Sequence, residues 1–179
     1  MKITERELMR SINKVISSAM LSPEEDVDFF LINLIKKIKR VSSFYPRRKV
    51  SDTSAIKDRL VENKLRGANS FIDMYNQAVS EITLEWVAIA DKWKEEKITQ
   101  ILKQRSLRFA NESDKFFSQM SNASKDHIEN LNFILEKYSL EKKDIAILTR
   151  CIKRLDKISK ASYKSFIDSL KSHSEISEV

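Results

Sequence analysis

Residues 61–93, VENKLRGANSFIDMYNQAVSEITLEWVAIADKW, decide the fold. Within them Val61, Leu65, Ala68, Ile72, Tyr75, Val79, Ile82, Trp86, Ile89 and Trp93 alternate spacings of four and three without a miss. That spacing draws one apolar seam along an α-helix, and at about 1.5 Å per residue the seam is roughly 48 Å long. Phe71, Ala78 and Ala90 widen it where a two-stranded coiled coil would place charges. Trp86 and Trp93 are also too bulky for a tight two-stranded seam. A wide apolar face is what a helix inside a bundle needs. Gly67 lies within the seam without disturbing its register. A helical glycine costs about 1 kcal/mol against alanine, so its presence points to a second helix passing close beside Ala68.

On the N-terminal side, Thr4 and Glu7 have the spacing of a capping box. They open a helix with a stripe at Leu8, Met9, Ile12, Val15, Ile16, Ala19 and Met20. A second start follows at once: Ser22 can cap, Pro23 suits the first helical position, and Glu25 completes the box. Glu24, Glu25, Asp26 and Asp28 sit at the positive end of that helix dipole, with Lys36, Lys37, Lys39 and Arg40 towards the negative end. The short turn between these helices predicts an antiparallel hairpin. Pro46 ends the second helix near residues 42–44.

On the C-terminal side the register slips after Trp93. A looser pattern, Ile98, Ile101, Leu102, Phe109, Phe116, Phe117 and Met120, predicts breaks within 107–114, with Asn111 or Ser113 as caps, and near 121–124. A shorter helix carries Ile128, Leu131, Ile134 and Leu135. Ser139 then caps one last helix with an apolar face at Ile145, Leu148, Cys151, Ile152, Leu155, Ile158, Phe166, Ile167 and Leu170. The expectation is an all-α protein: an elongated helical bundle with one long central helix and an N-terminal helical hairpin. Residues 1–172 form a single domain, divided into the hairpin (1–45), a linker (46–53) and the long-helix bundle (54–172), with a frayed tail at 173–179.

Composition agrees. The 179 residues include 1 Gly and 2 Pro, too few for the turns of a sheet protein. At 41% hydrophobic the chain is too apolar to be disordered. Cys151 is the single cysteine and cannot form an internal disulfide. With no signal-peptide pattern at the N-terminus, this predicts a reducing, cytoplasmic location. No apolar run approaches the roughly 20 residues that a membrane span needs.

The net charge is +7, and the first 50 residues hold +5 of it. Two basic features stand out. Arg150, Lys153, Arg154, Lys157, Lys160 and Lys164 fall on one side of the last helix, almost opposite its apolar face at about 100° per residue. Such a rail suits phosphates, anionic lipid or an acidic partner; it equally suits a plain solvated face. The second feature runs through Lys36, Lys37, Lys39, Arg40, Tyr45, Arg47, Arg48 and Lys49 without an acid. Its Phe44 and Tyr45 could stack bases, while its helical lysines also serve as helix-end compensation.

Catalytic signals are poor. One glycine excludes both the phosphate-cradling loop and the dinucleotide fingerprint. His127 and His173 are too few for the usual metal clusters, and no Glu-x-x-His pair exists for a di-metal bundle. Cys151 reads as a buried structural thiol, and Glu81 and Glu85 as solvent-facing. A helix-turn-helix reading fails because Glu24, Glu25, Asp26 and Asp28 would meet phosphates at the recognition-helix N-terminus. Phe29, Phe30 and Ile32 ahead of a lysine cluster would suit an interfacial helix, but residues 27–35 are apolar on nearly all sides, as in a helix buried between neighbours. The expected function is a non-enzymatic helical interaction protein, an adaptor, assembly or regulatory subunit, that binds an acidic protein partner through the basic surfaces. The alternative is nucleic-acid binding through the same residues, with peripheral membrane binding third. No cofactor or metal is expected. The seam could close within one chain or across a homo-oligomer.

Overall fold

The computed structural model describes residues 4–10, 21–44 and 57–175. The rest of the expected first helix, the linker, and Tyr45, Arg47, Arg48 and Lys49 lie outside the described residues. All regular structure described is helical. After a helical segment at 5–10 come α1 (Pro23–Ser42), α2 (Lys57–Lys92) and α3 (Glu95–Ser106). A 3-10 turn (Leu107–Phe109) leads into α4 (Ala110–Lys137), followed by α5 (Lys142–Ser159) and α6 (Tyr163–Glu175).

The Thr4–Glu7 capping box forms, and Ser22 caps the next helix by a single bond without the return bond from the Glu25 side chain. Thr4 N–H donates to Glu7 Oε2 at 3.0 Å, which holds the Glu7 carboxyl below its usual range, and Glu7 N–H donates back to Thr4 Oγ1. Glu25 N–H donates to Ser22 Oγ at 3.3 Å, with Pro23 in the first turn.

The spine is a long helical hairpin. α2 is 36 residues long and turns back at 93–94 into α3. From Glu95 to Lys137 the chain continues as a rod of 43 residues, interrupted only by the 3-10 turn. α2 and α4 run antiparallel, with Gly67 and Phe71 of α2 set against His127 of α4. Every seam position from Val61 to Trp93 is buried or half-buried against the other helices of the chain. α1 packs against the half of α2 nearer the turn, where Phe30 meets the buried Trp86 at 5.2 Å between ring centroids. α5 packs on the other half, with Cys151 beside Asn69. α6 covers the turn-proximal half, where Tyr163 and Phe166 set their rings at a tilt against Phe117.

Four expectations about element boundaries need correction. First, the slip of register after Trp93 is a full reversal of the chain, not a loosening. Lys94 is extended, at φ −61° and ψ 126°. Asp26 of α1 fixes this corner by accepting from Lys92 Nζ at 2.9 Å and from the Trp93 indole N–H at 2.7 Å.

Second, the predicted break at 121–124 does not exist. Serine reads locally as a helix breaker because its hydroxyl competes for backbone partners. Here Ser121 and Ser124 instead donate across to the Ser159 and Leu155 carbonyls of α5. Their small side chains let α5 lie close. The break within 107–114 does form, but as a 3-10 turn rather than a capped helix start. Phe109 occupies the N-cap position of α4 without a side-chain hydrogen bond, so Asn111 and Ser113 are not caps.

Third, the last helix is two. Residues 160–162 interrupt it, and Ser162 caps α6 by accepting from Ser165 N–H at 3.1 Å. α5 begins after Glu141 with no side-chain cap, so Ser139 is not its cap. Ile145, expected in the core, is 43% exposed. α6 continues to Glu175, past the predicted start of the tail at His173.

Fourth, α1 is not buried on all sides. Phe29 is 59% exposed and Ile32 39% exposed.

Tyr163 is tied to the 3-10 turn between α3 and α4. In the 3-10 turn, Ala110 N–H bonds to the Leu107 carbonyl, one residue short of the α-helical pattern. That leaves the Ser106 carbonyl without its usual acceptor role, and Tyr163 O–H donates to it at 3.0 Å. Burial pushes the Tyr163 pKa up to about 12.

Three outcomes follow from these contacts. Tyr163→Phe should lose about 1–3 kcal/mol in urea unfolding, since a buried carbonyl is left unpaired; an unchanged midpoint would show that the kink does not need the bond. A methyl at Gly67 would meet only His127 Cε1, at an ordinary van der Waals 3.9 Å. Gly67→Ala should therefore gain about 0.5–1 kcal/mol, and a loss would mean that the helices cannot accept the methyl.

His127 gives the third. Burial lowers its pKa from 6.5 to about 4, with Lys64 adding to the effect and Asp126 opposing it. The unfolded chain thus takes up the proton first. Stability is full above pH 6.5 and falls as pH drops from 6.5 towards 4, by about 2–3 kcal/mol between pH 7 and 4.5. His127→Leu should lack this component when both proteins are unfolded in urea at the two pH values. Equal losses would contradict it.

Candidate functional site

The two basic features of the sequence fare differently. In α1, Lys37 faces α2. Its Nζ donates to Glu81 and lies 3.8 Å from Glu85, while Asn33 Nδ2 donates to both Glu85 oxygens. Glu81 and Glu85 stand at the solvent edge of the α1–α2 contact: their side chains stay 45% and 39% exposed, as the sequence suggested, while they also take up Lys37 and Asn33 of α1. Hydrogen bonding from Lys37 and Gln77 holds the Glu81 carboxyl below its usual range. Lys39 is exposed and lies over the Phe116 ring at 5.6 Å. Lys36 and Arg40 are exposed. Lys37 is thus spent on the fold, and only part of this cluster faces outward as a group.

The α5 rail is different. Arg150, Lys153, Arg154 and Lys157 are all exposed, and none of them pairs with a carboxylate among the described residues. Three cations elsewhere are neutralised across helix seams: Lys92 by Asp26, Arg105 by Asp28 at 3.7 Å, and Lys37 as above. The rail loses two expected members. Lys160 caps the C-terminus of α5 and pairs with Asp156 at 2.8 Å, which raises its pKa. Lys164 is exposed but stands on α6, beyond the interruption, so it does not continue the face of α5. Lys142 and Lys143, exposed in the first turn of α5, extend the rail at its other end. The sequence carried this signal, since both lysines precede the same apolar stripe.

The reason α5 presents this face is its segregation. Leu148, Cys151, Leu155 and Ile158 turn inward against α2 and α4. Residues 146, 150, 153, 154 and 157 fall on the opposite side at about 100° per residue. A shallow groove of about 370 Å³ runs along this side, lined by Lys142, Ile145, Ala146, Thr149, Arg150 and Lys153. Ile145 and Ile147 flank the basic stripe, 43% and 36% exposed.

The other concavities are less organised. One of about 410 Å³ between α1 and α2 is lined by Lys37, Arg40, Asp73 and Glu81, so both signs of charge meet there. Cys151 is buried, its thiol pushed up by desolvation against a smaller opposing effect of Arg154, which disfavours the reactive thiolate. Among the described residues no three His, Cys, Asp or Glu side chains converge as a metal site requires, and no helix is long and apolar enough to cross a membrane. Comparison with family models, curated proteins and solved structures finds no match for this chain, and the α5 face stands as its candidate site on geometry alone.

Proposed function

We propose that this chain is a non-enzymatic helical interaction protein, an adaptor, assembly or regulatory subunit, that binds an acidic partner through the outer face of α5. One observation carries the reading: Arg150, Lys153, Arg154 and Lys157 stand together on one outward face, exposed and unpaired among the described residues, whereas Lys37, Lys92 and Arg105 at helix seams each meet a carboxylate. Four cations held about 10 Å apart end to end by a rigid helix repel one another. A partner that brings carboxylates relieves that repulsion and gains steering on approach.

The double variant Arg154→Glu/Lys157→Glu tests this. Both side chains are exposed, so the thermal midpoint should stay within about 2 °C, as for surface changes worth under about 0.5 kcal/mol. Capture of the wild type's specific partner should fall at least tenfold. Persistence of binding would reduce the rail to a solvated face. Nucleic acid is the competing outcome. It would show as excess 260 nm absorbance at low salt, and as oligonucleotide retention that falls with salt at a log–log slope of about −3 to −4 for four phosphate contacts. Anionic vesicles that co-sediment with the protein, where neutral ones do not, would instead favour a membrane surface.

A further inference from the structure

We infer that the groove along Ile145, Ala146 and Thr149 receives an amphipathic helix of the partner, with acidic side chains set against Lys142 and Lys153 at its two ends and Arg150 along one edge. This deepens the proposed function and rests on it. The groove residues fall at positions 142, 145, 146, 149, 150 and 153, an unbroken stripe of helical spacing. A stripe of that kind is straight along the helix axis and about 16 Å long at 1.5 Å per residue. A second helix can lie along it with ridges seated in grooves. Ala146 and Thr149 are small at its centre, which lets backbones approach. Ile145 supplies an exposed apolar anchor. It lies along one edge of the stripe, with Arg150 on the other edge and the stems of Lys142 and Lys153 closing the two ends.

The chemistry of the occupant follows from charge. Residues 142–160 hold seven basic side chains against Asp144 and Asp156, and Asp156 is already paired with Lys160. An acidic helix complements such a face. A membrane does not, because membrane-binding helices centre an apolar face between cations. On α5 the order is reversed: Ile145 and Ile147 stand about 200° apart around the axis, with the cations between them. Nucleic acid would use the cations but would gain little from a half-exposed isoleucine.

The test uses two fluorescein-labelled, end-blocked 14-residue peptides of identical composition. One carries Leu at heptad core positions with Glu at the flanking ones; the other is scrambled to remove the stripe. Titrated with the full-length protein and read by anisotropy, the patterned peptide should bind at least tenfold tighter. Ile145→Ser should remove most of that advantage while leaving binding of the scrambled peptide unchanged. Methyl shifts of wild-type Ile145 should move with the patterned peptide, a readout independent of how any variant folds. Equal signals from both peptides, whether strong or absent, overturn the helical occupant, as do shifts centred elsewhere. The two readings fail separately. If Arg154→Glu/Lys157→Glu still abolishes partner capture but the peptides bind alike, the rail binds an acidic partner of another shape. If that variant changes nothing, the rail itself is not the site.

Discussion

The antiparallel pairing of α2 with the α3–α4 rod is what the rest of the molecule is built on. Each of the two presents an apolar face wider than the other can cover. On α2, Ala68, Phe71, Ile72, Ile82 and Trp86 reach full burial, but only because α1 and α5 lie on successive halves of the same helix. On α4, Phe117, Met120, Leu131 and Ile134 are covered in the same divided manner by α6, α1 and α5. Fully burying one such side chain is worth about 1.5–3 kcal/mol before chain entropy is set against it. A two-helix hairpin could not realise that gain, and a coiled-coil dimer could not accommodate the tryptophan. The additional helices are therefore a requirement of the seam's width.

Charge divides along the same lines. Where helices meet, a lone cation at the edge of the apolar interface would lose hydration without return, and three such cations find carboxylates. Lys37 sits between Glu81 and Glu85, Lys92 on Asp26, Arg105 near Asp28. Asp26 also takes the Trp93 indole, so one carboxylate ties the start of α1 to the chain reversal after α2. Among the described residues α5 packs through its inward face alone, and no described element lies over its outer side. Its cations keep their hydration and need no intramolecular partner. The same geometry that makes α5 a flank of the bundle thus makes its basic face available.

Buried polar groups mark where helices cross closely. Ser121 and Ser124 donate to carbonyls of α5, and Tyr163 donates to the carbonyl freed at the α3–α4 kink. Each is a polar side chain at a place where local reading of the sequence expects a break or plain core. Each is accounted for by a backbone carbonyl supplied from another helix. His127 is kept neutral among Phe71, Gly67 and the neighbouring helix, with its Nε2 unbonded to protein.

The sequence by itself determined the all-α class, the seam from Val61 to Trp93, the caps at Thr4 and Ser22, and the end of α1 at Ser42. These are properties of spacing and of neighbours within four residues, and helical periodicity writes them directly into the chain. It also marked Arg150, Lys153, Arg154 and Lys157 as one outward face, because an amphipathic helix declares both of its sides. Only the tertiary structure decided the reversal at 93–94, the continuity of α4 through its serines, the split between α5 and α6, and the pairing of Lys37 with Glu81. Each of those depends on groups far apart in sequence: Asp26 reaches Trp93, Ser124 reaches Leu155, and Lys37 reaches Glu81. Contacts of that range leave no local pattern, because they are chosen by which helix happens to lie alongside.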